Sequence, residues 1–177
     1  QKNILVKHLG WKNHQIEVVK SFRYQKKNKN IFLNKIFLPY SISNFSNTVE
    51  DLNNLFSKEG FSKSKFTVKN HPYMSRSTSH LKLIDKINNI KKKNFTLKNK
   101  NISIVIGASA VILEILEHGI DVLHICGDPI LEAHSQNIWK YIKVKRISER
   151  VFIYKMKKKG SIIKLGSKRY FEKKFDI

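Results

Sequence analysis

Two short segments of this 177-residue chain carry residue types suited to holding a phosphate. The first, FTVKNHP at 66–72, is an alternating run that ends on His71-Pro72. Proline continues neither a helix nor a central strand, so the chain turns there. A histidine at the carboxyl end of a strand can donate an N–H, or carry charge, toward an anion. It can equally cap the turn by bonding a backbone carbonyl. Lys69 and Arg76 add positive charge nearby. The second segment, SIVIGASAVILEILEHG at 103–119, is an apolar strand that runs into Gly107-Ala108-Ser109 and then a helix. Small residues let a ligand approach the backbone. The first amides of the helix have no internal partners, and its dipole end is positive. A phosphate placed there gains N–H bonds and the Ser109 hydroxyl. The same three residues also suit an ordinary strand-to-helix turn with a serine cap. Glu114 lies inside that helix.

Weaker candidates follow other strands. Asp128, in Gly127-Asp128-Pro129, can cap a turn or touch a ligand. Glu132, His134 and Ser135 begin a helix beyond a strand end. His14 and Trp11 sit after the first apolar stretch, Trp11 as a packing residue. The single cysteine, Cys126, excludes an internal disulfide, fits a reducing cytoplasm and reads as a small buried apolar residue. His80, His118 and His124 have no metal-ligand spacing, and HEXXH, CxxC and DxD patterns are absent, so no bound metal is expected.

The elements that position these residues alternate. Strands are expected at 4–8, 31–38, 66–69, 102–106 and 122–125. Helices are expected at 14–22, 47 or 48 through 57, 77–90, 110–118 and 131–141. Residues 23–30 read as a basic surface loop, Gly60 as a helix stop, and 91–100 as a lysine-rich connector with a short strand at 95–97. A hairpin is expected from 151–156 and 161–165 around Lys157-Lys158-Lys159-Gly160, then a basic tail helix at 167–175. Strands separated by helices imply βαβ units. The fold class is α/β: a Rossmann-like parallel sheet with helices on both faces, plus a C-terminal hairpin and short helix. The domain division is 1–145 for the sheet and 146–177 for the extension. Ligands of such sheets bind beyond the carboxyl ends of the strands.

Composition bounds the partners. Thirty-five Lys and Arg against thirteen Asp and Glu give a net charge of +22. Such a chain attracts polyanions: nucleic acid, anionic lipid or phosphorylated substrates. The basic residues are mostly Lys, mixed with Asn and spread along the chain, which also fits compositional drift. No RNP-like, KH or zinc-finger pattern is present, so nucleic acid is the lesser expectation. No apolar run reaches the roughly 20 residues of a membrane span, and no signal peptide is visible. The chain starts at Gln1, not Met, as expected of a trimmed chain or of one piece of a longer protein.

A strand ending in K-x-HP, about thirty residues later a small Gly/Ser turn, then a helix of the form S-x-x-x-x-E-x-x-x-x-G and a strand, together resemble the donor-binding half of GT-B glycosyltransferases. The resemblance is closest to bacterial capsule and lipooligosaccharide sialyltransferases, Kdo transferases and teichoic-acid-type polymerases. It covers about residues 1–130, most firmly 66–126. It implies that His71 and Pro72, with Gly107, Ala108 and Ser109, grip the phosphate of a CMP- or other NDP-linked sugar. It implies that Glu114 faces the donor's sugar or ribose, that His71 assists the leaving group, and that Lys69, Arg76, His14 and Asp128 border the cleft. The serine pair usual in those families is Ala108-Ser109-Ala110 here. A glycan or glycolipid acceptor, an acceptor-binding half outside this chain, no metal, and a cytoplasmic enzyme held peripherally at the anionic inner membrane face complete the expectation. Competing readings are a basic nucleic-acid-binding protein and a GT-B-like nucleotide-sugar epimerase.

Overall fold

The computed structural model describes residues 2–42, 44–58, 66–90 and 101–175. Along the chain run α1 (Lys2–Leu9), β1 (Ser21–Gln25), β2 (Lys35–Phe37), α2 (Phe45–Lys58), β3 (Thr67–Lys69), α3 (Thr78–Asn89), β4 (Ile102–Ile106), α4 (Val111–Glu117), β5 (Asp121–Ile125), α5 (Pro129–Glu132), β6 (Ile142–Arg146), β7 (Val151–Met156), β8 (Leu165–Gly166) and α6 (Lys168–Phe175). They divide into two compact units, Lys27–Ile162 and the pair of segments Gln1–Lys26 with Ile163–Ile177. The boundary expected at 145/146 falls inside β6.

The larger unit is α/β, with a mixed six-stranded sheet in the order β3-β2-β4-β5-β7-β6. The first four strands are parallel, and the β6–β7 hairpin closes the far side antiparallel. The period-2 alternation of strand side chains feeds two cores. Ile36, Ile104, Ile106, Leu123 and Ile125 meet Leu52, Leu55 and Phe56 of α2 and Leu83 and Ile87 of α3 on one face. Phe37, Val105 and Val122 meet Ile112, Ile115 and Leu116 of α4, with Phe152 and Tyr154, on the other. Covering both faces explains why β4 and β5 read as near-continuous apolar runs. Asp51 of α2 reaches Arg150, between β6 and β7, at 2.9 Å. Among the described residues no helix is long and apolar enough to cross a membrane.

The smaller unit pairs β1 with β8 in parallel. Lys20 Nζ lies 4.7 Å from the Tyr170 ring centre, and Lys174 pairs with Glu17.

Several expected elements are corrected. Residues 4–8 belong to a helix, not a strand: α1 ends where Gly10 turns left-handed (φ 71°) and the Trp11 N–H bonds the Leu5 carbonyl. The helix expected at 14–22 is a single tight turn at Asn13–Gln15 followed by extended chain and β1, so the loop expected at 23–30 begins as strand. The strand expected at 31–38 shrinks to Lys35–Phe37, because Asn34 at φ 55° breaks the extended run. Helix α2 starts at Phe45, so Asn47 and Thr48 lie inside it rather than capping it, and Thr48 is buried.

The helix expected at 131–141 stops at Glu132. There the His134 N–H bonds the Tyr154 hydroxyl (3.0 Å) in place of a helical carbonyl, and Ile130, Leu131 and Ile138 face solvent. The C-terminal hairpin is β6–β7, within the sheet. Lys157–Gly160 is not its turn: Gly160 (φ 72°) and Ile162 give their amides to the Glu117 carboxylate, at 2.5 and 3.0 Å. Leu81 of α3 is about half exposed. The expectations at Gly60 and at 91–100 lie outside the described residues.

Candidate functional site

The loops at the carboxyl ends of the parallel strands form one edge, and three contacts, two of them hydrogen bonds, knit them together. The loop after β2 begins with Pro39. Its carbonyl accepts the Nε2–H of the buried His80 of α3 at 2.8 Å, while His80 Nδ1 meets the Ser77 hydroxyl at 3.1 Å. The Pro39 ring also fixes Gly107: a Cβ there would sit 3.2 Å from Pro39 Cγ, and φ is +66°. Both facts demand glycine at the end of β4. Finally, Asn44 donates its side-chain amide to the Gly127 carbonyl beyond β5, at 3.1 Å.

His71 follows β3. Asn70 shapes its turn from both sides, accepting the His71 N–H at 2.8 Å and donating to the Met74 carbonyl at 2.9 Å. Pro72 opens the single turn Pro72–Met74, and His71 precedes it in extended conformation with no capping bond from its side chain. The ring packs edge-on to Tyr40 (5.5 Å between centres) and tilted against Tyr73 (5.9 Å). Its Nδ1 is buried and has no hydrogen-bond partner. Between a carbonyl-bonding cap and a ring with free polar capacity, the geometry gives the second. Lys69 and Arg76 are exposed beside this turn, with Lys69 Nζ 5.6 Å from the Phe37 ring centre.

Strand order places β2 between β3 and β4. The His71 and Gly107 turns are therefore two strand spacings apart, about 10 Å. Gly107 donates to the Ile125 carbonyl at 2.8 Å and accepts His124 Nε2–H at 2.9 Å. Ala108 is exposed and Ser109 half-buried. The Ser109 hydroxyl accepts the Val111 N–H only loosely, at 3.4 Å, and the capping position of α4 falls to Ala110, which has no side-chain bond to give.

Other expected residues are otherwise engaged. Glu114 is buried and pairs with Lys27 Nζ at 2.9 Å. Asp128 caps α5, accepting the Ile130 and Leu131 amides at 2.9 and 3.4 Å. His14 belongs to the smaller unit.

Beneath the edge lies a polar cluster that the motifs did not point to. His134 N–H bonds the Tyr154 hydroxyl, which in turn meets His124 Nδ1 at 3.1 Å, while His124 Nε2–H holds the Gly107 carbonyl. Cys126 Sγ sits 3.4 Å from His124 Nδ1. Glu132 accepts the Gly127 N–H at 2.8 Å. Burial disfavours charge on His124, His134, Cys126 and Tyr154. It pushes His124 down to about 4, lowers His134, raises the Cys126 thiol to about 12 with Glu132 adding to the rise, and raises Tyr154. The available signal was the histidine set inside the apolar run VLHI, since a buried polar side chain requires partners. Neither a family model, nor a curated protein, nor a solved structure matches this chain.

Proposed function

We propose that the carboxyl edge of the sheet binds the phosphate of a nucleotide-activated sugar, and that the chain is the donor-binding, Rossmann-like half of a GT-B type glycosyltransferase of surface-polysaccharide synthesis. The observation that carries this reading is the buried, unpartnered Nδ1 of His71 at a strand's carboxyl end. An unpaired buried polar atom costs free energy unless a ligand completes it. The second support is the Gly107 turn two strands away, whose backbone is fixed by Pro39 and His124. The two turns are spaced for opposite ends of one phosphorylated ligand. His71 stabilises the departing phosphate, an electrostatic contribution that needs no metal. Lys69 and Arg76 raise the local anion concentration. Glu114 has no part in this reading, because its carboxylate is taken by Lys27. The acceptor, glycan or glycolipid, and the catalytic base belong to a partner half, and the lysine-rich surface favours the anionic membrane face.

The test is a thermal-shift titration with CMP, CDP, UDP and a short oligonucleotide. Saturable stabilisation by one nucleotide, lost in His71→Ala, supports the reading. Salt-steep binding of any oligonucleotide with no nucleotide preference overturns it in favour of a nucleic-acid-binding protein.

A further inference from the structure

His124, Cys126 and Glu132 present one nitrogen, one sulfur and one carboxylate oxygen that all lie within 4.8 Å of one another. We infer that this cluster is a binding site for one zinc-like divalent cation, clipping the end of β5 to α5. It is independent of the donor reading.

The donor set suits a borderline-soft ion, which takes imidazole, thiolate and carboxylate together. The spacing suits a single small ion. Bonds of about 2.0 Å to nitrogen and 2.3 Å to sulfur at a tetrahedral angle place those atoms about 3.5 Å apart. His124 Nδ1 and Cys126 Sγ stand at 3.4 Å.

The groups that orient the ligands are in place before any ion enters. His124 Nε2–H is committed to the Gly107 carbonyl at 2.9 Å, which leaves Nδ1 as the lone-pair nitrogen and fixes the ring. Gly127 N–H holds one oxygen of Glu132 at 2.8 Å and leaves the other for a ligand bond. His124 and Cys126 are fully buried and Glu132 is half-buried, so the ion enters from the side of α5. His134 lies beside the cluster. Its ring centre is 6.3 Å from that of His124, and its buried Nδ1 has no partner.

Binding is an acid–base step without redox. The Cys126 S–H bond breaks, its proton leaves to solvent, and a sulfur–metal bond forms. The His124 Nδ1 lone pair turns from the Tyr154 hydroxyl to the metal, and that hydroxyl takes another acceptor or water. Affinity therefore rises with pH, with about one proton released per ion.

The experiment uses the full chain without a histidine tag, stripped with chelator and titrated with Zn²⁺ and Co²⁺. The inference expects one zinc per chain, a thiolate-to-cobalt charge-transfer band, and proton release read by calorimetry in two buffers of different ionisation enthalpy. Cys126→Ser removes the band and weakens zinc by more than the roughly 10–100-fold typical of losing a group that only orients a ligand. Glu132→Gln, which keeps an acceptor for Gly127, weakens zinc while keeping the band. Circular dichroism and melting of both metal-free variants verify their folding. Substoichiometric uptake, no charge-transfer band, or affinity unchanged in both folded variants overturns the inference.

Discussion

The carboxyl ends of β3 and β5 sit on the same edge and both carry a histidine, but they use it oppositely. His71 packs between two tyrosines and leaves Nδ1 without a bond. His124, one residue before the end of β5, is fully buried with both ring nitrogens engaged. The first ring has capacity to spare for something from outside. The second spends its capacity on the Gly107 carbonyl and so fixes the backbone of the neighbouring turn. An edge that binds a ligand needs both: a group that is free and a frame that is not.

Four measurements test that contrast. The largest effect is expected for His124→Ala, which leaves the Gly107 carbonyl and Tyr154 hydroxyl short of a partner and opens a cavity. Denaturant unfolding should show a loss of about 3 kcal/mol, whereas His71→Ala stays within about 0.5 kcal/mol. Equal losses would erase the distinction.

Acid should act through the same residue. Burial holds the folded His124 neutral down to about pH 4, while the unfolded chain takes its proton near 6.5. The unfolded state then binds more protons inside that window. Stability of the chelator-treated protein falls as pH drops from 6.5 to 4, by up to about 3 kcal/mol, and flattens below. His134, shifted down by the same burial, acts in the same direction. A flat profile across the window would contradict the buried, neutral ring.

Gly107→Ala tests the frame from the backbone side. The left-handed φ and the Pro39 ring oppose a Cβ, so a loss of about 1–3 kcal/mol is expected in thermal melts, with weaker nucleotide stabilisation. The smallest change is expected for Lys27→Met. It leaves the Glu114 carboxylate buried without its cation and costs about 1 kcal/mol, with nucleotide titration midpoints unmoved. A shifted midpoint would return Glu114 to the ligand.

The sheet was legible where burial on both faces makes strands uniformly apolar, as at Ile102–Ile106, and where glycine ends a helix, as at Gly119 (φ 72°). The two turns at His71 and Gly107 follow from those strands. Two of the misses share a cause: partners that lie well apart along the chain. Met156 lies opposite Ile142 in the hairpin, while the nearby Lys157–Gly160 turn looked local enough to be one. The 131–141 stretch has helical spacing, but the Tyr154 hydroxyl claims His134 and ends it. Residues 4–8 are too few for periodicity to arbitrate between strand and helix. At the edge, His71 and Pro72 carry a local signature. Glu114 shows why a residue type in the right helix is insufficient, since Lys27 lies 87 positions away. The His124 network combines side chains from two strands with backbone groups from two loops, and no spacing along the chain announces it.

The parallel pairing of β1 with β8 matches Ser21 to Leu165. During translation the whole of Lys27–Ile162 emerges before β1 can meet its mate. The larger unit is free to fold first, as a guest inserted in an unfinished host. A ribosome that stalls before Leu165 releases a chain whose larger unit is complete and whose β1 is a bare edge, ready to add to a strand of another molecule. Lengthening or joining segments inside the guest should therefore leave the host's assembly late, and nascent-chain protease protection should arrive in two stages, with β1 in the second.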